Sequence, residues 1–141
     1  MAYWLFKSEP SSWSWDDQVA AGEAGTPWTG VRNHLAQKYM REMAAGDRGF
    51  FYHSNVGKAV VGIVEVVAAH HPDASDPTGR FGVVDLKAVE PLPRPVTLEA
   101  VKAEPALAEM ALIKNSRLSV QPVTAEEWRA VRRLGGLQRE G

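Results

Sequence analysis

Trp28 sits in the run Thr26-Pro27-Trp28-Thr29-Gly30, which leads directly into Val31-Arg32-Asn33. An indole presented from a loop beside a guanidinium and an amide is suited to stack on a planar base while its neighbours read the base edge. Packing in a core is the commoner fate of tryptophan, and the residues alone leave both readings of Trp28 open. Trp4 and Trp128 are assigned to the core, the first by strand alternation and the second as a partner for Val123 at the start of a helix. A second polar set is Phe51-Tyr52-His53-Ser54-Asn55, an aromatic strand that ends in hydrogen-bonding side chains. A third is Ser116-Arg117-Leu118-Ser119-Val120-Gln121-Pro122. Strand alternation there puts Arg117, Ser119 and Gln121 on one face, which either meets water or lines a polar cavity.

Several chemistries are excluded or disfavoured. The chain has 141 residues and no cysteine, which removes disulfides, thiolate metal sites and a cysteine nucleophile. Neither a G-x-S-x-G elbow nor an H-E-x-x-H pair occurs. Gly57-Lys58 lacks the upstream glycine of a phosphate loop, because Tyr52 stands there. His70, His71, Asp73 and Asp76 fall close together, and a solvated loop is expected rather than a metal site. An enzyme with His53 as base is the alternative reading, but no nucleophile, metal set or paired acid accompanies it. No catalytic residue, metal or cofactor is expected. A small-molecule or protein adaptor using the same cavity is the other alternative.

The net charge is -1, from 16 basic and 17 acidic residues. Proteins that coat duplex nucleic acid usually show a strong basic excess, so phosphate-driven binding is disfavoured while a small local basic patch is not. The apolar start, Tyr3-Trp4-Leu5-Phe6, is too short for a signal peptide core, and no stretch approaches the length of a membrane span. The expectation is a monomer in the cytoplasm, or at the nucleoid or in a nucleus.

These residues need elements to hold them. Residues 2 to 7 read as a strand stopped by Pro10, and Ser14 caps a short helix over 15 to 20. Residues 31 to 45 read as a helix with Val31, Leu35, Tyr39, Met40 and Met43 inward. A strand begins at Phe50. Residues 59 to 67 are a β-branched run expected to be buried on both faces, and 81 to 89 its antiparallel partner. Pro91, Pro93 and Pro95 read as a stiff connector, Thr97 as the cap of a short helix, and 117 to 121 as a strand. Thr124 and Glu127 form a capping box that opens the final helix, closed by Gly135 and Gly136. The pattern predicts an α+β domain over 1–141, a mixed barrel of five or six strands with flanking helices.

Five ordered runs carry a family resemblance: Trp4 to Pro10, Trp28 to Asn33, Phe50 to Asn55, Val61 to Val66 and Ser116 to Val123. The chain resembles the EVE domain family of the PUA-like superfamily, with a weaker similarity to YTH domains, across nearly its whole length. The resemblance implies a PUA-like barrel that reads a modified nucleobase, of 5-methylcytosine type or related, in DNA or RNA. It implies base-edge contacts from Ser8, Asn33 and Ser119, phosphate contacts from Lys7, Arg32 and Arg117, and a site that also draws on Tyr52, His53, Ser54 and Gln121. Thr29 departs from the family's frequent aspartate, a change placed where it can alter what the pocket accepts. Trp13 for tyrosine, Phe81 for tryptophan and a short loop after His70 read as packing or loop variation.

Overall fold

The computed structural model describes residues 1–137, so the last four residues of the expected 1–141 unit lie outside it. The elements are β1 (Tyr3–Ser8), α1 (Trp15–Ala20), β2 (Thr26–Pro27), α2 (His34–Glu42), β3 (Arg48–His53), β4 (Ala59–Pro72), β5 (Gly82–Thr97), α3 (Leu98–Ala103), a 3-10 turn (Pro105–Leu107), α4 (Ala111–Lys114), β6 (Val120–Val123) and α5 (Ala125–Leu134). The strands form one six-stranded sheet in the order β2-β5-β4-β3-β1-β6. Among the described residues only β1 and β3 pair in parallel, with Leu5 opposite Phe50 and Phe6 opposite Phe51.

Alternation along the strands gives the sheet two apolar faces. Leu5, Phe50, Val60 and Ile63 point to one, which α3, the 3-10 turn, α4 and α5 cover. Trp128 of α5 anchors that layer, its ring stacked 4.2 Å from Phe50 and 4.4 Å from Tyr3. Trp4, Phe6, Phe51, Val64, Val66, Val84 and Leu86 point to the other face. The sheet curls around this second set. Trp28, just beyond β2, packs 5.6 Å from Phe6 on β1, although β5, β4 and β3 separate the two strands in the hydrogen-bonded order. The mixed α+β barrel is therefore closed by side-chain packing at a seam between Trp28, beyond the edge strand β2, and β1, which lies next to the other edge strand, β6.

Local signals account for most boundaries. Ser14 and Asp17 form a reciprocal capping box on α1, and Thr124 and Glu127 do the same on α5. Thr97 caps α3 through Ala100 N. The first part of β4, from Ala59 to Val66, is buried on both faces as its composition predicts, and its last residues are not.

Four expectations are corrected. The helix expected over 31–45 runs from His34 to Glu42, and Leu35 is exposed while Gln37 is buried. Gln37 takes the inward position because its amide donates to the Val31 and Gly82 carbonyls, each at 2.9 Å. β5 continues through Pro91, Pro93 and Pro95 to Thr97. Its outer side is paired by β2 only at Asp85 and Leu86, so beyond them β5 is an edge, where a missing N–H costs little. The strand expected over 117–121 lies at Val120–Val123, and Leu118 N instead closes a turn onto Asn115 O at 3.2 Å. Finally, His70 and His71 belong to β4, not to a loop.

Candidate nucleic-acid interface

At the barrel seam lies a cavity of about 680 Å³. Its walls come from three stretches distant in sequence: the end of β1 and the turn after it, the segment from Thr26 to Asn33, and Ser119 ahead of β6. Lys7 N donates to Ser119 O at 2.9 Å, which fixes Ser119 against β1.

Trp28 forms one wall and is only 8% exposed. Its backbone N–H donates to Val84 O at 2.9 Å, and its ring meets Phe6 and Phe51 edge-on at 5.6 and 5.8 Å. The two readings that the sequence left open are thus combined: the indole belongs to the barrel interior and also borders the cavity. Trp13 contributes a second indole. Its Nε1 donates to Gln18 Oε1 at 2.9 Å, and the buried Gln18 donates in turn to Leu86 O, so the ring is held from behind.

The polar lining is partly committed. Ser8 Oγ donates to Trp13 O at 2.5 Å, which leaves its lone pairs as the acceptor it can offer. Asn33 caps α2, its Oδ1 accepting from Ala36 N at 2.9 Å, so its Nδ2 is the group left to donate. Lys7 donates through Nζ to Ser116 O at 2.5 Å, and burial pushes its ammonium below the ordinary lysine value. Glu9, Ser12 and Thr29 add further polar groups.

Arg32 is placed by Asp73. The Asp73 side chain is wholly screened from solvent, yet it accepts from the Arg32 guanidinium and from Gly30 N, both at 3.1 Å, and from Ser75. Burial alone raises a carboxyl pKa; here the hydrogen bonds from Ser75, Gly30 and Arg32 outweigh it and hold Asp73 well below the usual carboxylate range. Arg32 also lies over the Phe81 ring at 5.0 Å. Asp76 is lowered to about 2, first by the Thr78 hydroxyl, against the opposing effect of burial, and then by backbone N–H groups. Asp73 thus braces the cavity rim, while Asp76 holds its own turn from Thr78 to Phe81.

His70 and His71 are also committed. His70 Nε2 lies 3.0 Å from Gln37 Oε1, and His71 Nε2 lies 2.9 Å from Asp85. Among the described residues no group of His, Asp and Glu side chains is placed to hold a metal ion.

Of the residues singled out in the sequence, Lys7, Ser8, Trp28, Arg32, Asn33 and Ser119 border the cavity. Tyr52, His53, Ser54, Arg117 and Gln121 lie outside its lining. Tyr52 is buried in the layer beneath α5. His53 accepts the Trp15 N–H through Nε2 at 3.1 Å, and burial lowers its pKa against the opposing charge of Asp16. Ser54 sits behind the wall, its N–H on Ser8 O. Arg117 is exposed, whereas Gln121 is buried and donates to the Asn115 and Leu118 carbonyls. The shared face expected for Arg117, Ser119 and Gln121 does not form, because residues 117–119 are not in a strand.

Comparison with known proteins shows the family of the chain. The EVE domain model matches residues 2–134. The chain belongs to the EVE domain family. Thymocyte nuclear protein 1 of the rat is 34% identical, over 89% of this chain and 70% of its own length. A solved Rhodopseudomonas palustris protein is 62% identical with a TM-score of 0.94, over 99% of this chain and 97% of that one. The structure of human thymocyte nuclear protein 1 in complex with DNA containing 5-methylcytosine superposes with a TM-score of 0.90 at 29% identity, over 99% of this chain and 100% of that one. The PUA-like fold of these EVE relatives is the curled sheet described above.

Sequence reasoning on this EVE domain missed Glu9 and Ser12 as lining residues and Asp73 as the brace of Arg32. The run Asp73-Ala74-Ser75 carries the signal of an Asx turn, but nothing local ties it to Arg32. Trp13 was visible as an aromatic substitution and was read as packing.

Proposed function

We propose that this EVE domain is a non-catalytic module, acting as one unit, that takes a flipped, modified base of 5-methylcytosine type from DNA or RNA into the cavity at the barrel seam. The observation that carries this reading is a cavity with mixed polar and apolar walls, bordered by two fixed indoles, Trp13 and Trp28, in a relative of a protein crystallised with 5-methylcytosine DNA. Its volume of about 680 Å³ falls within the range of small-ligand sites, about 300–1,000 Å³. Asn33 Nδ2, Ser8 Oγ and Ser119 supply donors and acceptors for the base edge. Arg32, held at the rim by Asp73, is the candidate for a flanking phosphate. The EVE relatives named above and the commitment of His53 to Trp15 N–H favour binding over turnover. The cysteine-free composition supports a reducing compartment, with the cytoplasm or nucleoid proposed.

A base stacked in a duplex cannot enter such a cavity. Flipping costs a few kcal/mol, and stacking on an indole returns about 1–3 kcal/mol. One methyl group adds about 0.8 kcal/mol of apolar burial, so selectivity for the mark is modest unless a polar group also reads it. Titration of oligonucleotides with and without 5-methylcytosine, single-stranded and duplex, at several salt concentrations tests the proposal. The expected result is preference for the modified single strand, with a salt slope equivalent to roughly two or three phosphates. A steep slope with no preference for the modified base contradicts it.

A further inference from the structure

Beside the cavity, the β3–β4 connection carries an apolar side chain into solvent. Val56 is 74% exposed at its tip. Single exposed apolar residues are ordinary, but the backbone that presents this one is not. Asn55 and Lys58 adopt left-handed conformations, with φ of 64° and 34°, and Gly57, between Val56 and Lys58, has φ of 86°. Asparagine takes such angles readily in turns, whereas a lysine holds them where its surroundings fix the turn. Here the turn is fixed to the cavity wall. Asn55 Nδ2 donates to Glu9 Oε1 at 2.7 Å, and Ser54 N donates to Ser8 O at 2.9 Å. Ser8 and Glu9 both line the cavity, so the tip is built onto its rim. A Cβ on Gly57 would meet nothing within 4 Å, so the tip stands clear of the body. Behind it Lys58 and Lys102 border a hollow together with Glu99, which leaves the base of the tip with one more cation than anion.

A module that takes a flipped base leaves a gap in the duplex, and apolar side chains are known to insert between base steps where a stack is opened. We propose that the 54–58 loop is a duplex wedge. Val56 enters the base stack at the vacated position, and Lys58 meets an adjacent phosphate. The partner is double-stranded nucleic acid, and the inference rests on the flipped-base reading above. The wedge acts on the duplex alone, since a single strand has no gap to fill.

The test uses the full chain with one 5-methylcytosine oligonucleotide, presented as a single strand and as a duplex. Val56→Ser is expected to melt like the native protein because Val56 is exposed, to weaken duplex binding by about ten-fold, and to leave single-strand binding within about two-fold. Val56→Leu is expected to restore duplex binding. Equal weakening on both substrates, or no change on either, overturns the wedge while leaving the cavity reading in place. Equal binding of this single strand and its unmodified counterpart by the native protein overturns the cavity reading, and the wedge with it.

Discussion

Arg32 and Asp73 are joined at 3.1 Å across the cavity rim, between a guanidinium that is 41% exposed and a carboxylate with no exposure at all. The charge that solvent or a phosphate can reach is thus held by one it cannot reach. The same Asp73 oxygen accepts Gly30 N, so a single carboxylate sets both the backbone and the side-chain geometry of the segment that follows Trp28. Removing one partner of such a pair leaves the other polar groups unsatisfied, which is costlier than the pair's net contribution.

Asp73→Asn is therefore expected to weaken binding of a modified oligonucleotide by releasing Arg32, and to lower the melting temperature. The pH dependence has a definite sign. Both Asp73 and Asp76 titrate lower in the folded state than unfolded, Asp76 at about 2. Their stabilisation is fully present above the unfolded carboxyl pKa of about 4 and is lost as pH falls through the folded value. Melting curves from pH 7 to pH 2 should drop below about pH 4, and the Asp73→Asn, Asp76→Asn double variant should show a shallower drop. An unchanged acid limb in the double variant contradicts this assignment.

Asn33 has two separable tasks, since Oδ1 caps α2 and Nδ2 is the group left for a ligand. Serine caps helices about as well as asparagine, while alanine costs about 1 kcal/mol. Asn33→Ser should keep the native melting temperature and blur discrimination among bases; Asn33→Ala should lose both. Equal discrimination by Asn33→Ser and the native protein removes Asn33 from the base edge.

Trp28 and Trp128 differ in what they border. Trp128→Ala removes a ring stacked on Tyr3 and Phe50 and should cost about 3–5 kcal/mol of stability, with binding per folded molecule unchanged. Trp28→Ala should lower stability too, since Phe6 and Phe51 lose their partner, and should also weaken binding by about 1–3 kcal/mol. Denaturant melts paired with titration of the folded fraction separate the two. Native affinity in folded Trp28→Ala excludes the stack.

Gly62 faces Trp15, whose ring occupies the space a Cβ would need. Trp15 packs edge-on against Phe51 at 5.5 Å, so Gly62→Ala should displace that ring and cost about 1–3 kcal/mol. A melting temperature equal to the native one shows that the ring yields freely.

The regular parts of this fold were legible because local chemistry decides them. The Ser14 and Thr124 capping boxes and the two-faced β4 follow from residue type and spacing. Trp28, Arg32 and Asn33 stood out for the same reason, a polar and aromatic run next to a helix start. What failed depends on contacts distant in sequence. Gln37 takes a core position only because Val31, Gly82 and His70 meet it there, and hydrophobic periodicity reads it as a surface residue. The prolines of β5 look like a linker until the strand is known to be an unpaired edge. Arg117 and Gln121 were placed by strand alternation, which does not apply to the turn ahead of β6. Asp73 lies 41 residues from Arg32, and no local pattern records that contact.

The most direct test of the account is a crystal structure of the protein with a single-stranded oligonucleotide containing 5-methylcytosine. The account predicts the modified base inside the seam cavity, against Trp28 and within hydrogen-bond reach of Asn33 Nδ2 or Ser119, with a neighbouring phosphate near Arg32. Nucleic acid bound elsewhere on the domain, with the cavity holding no base, would contradict it.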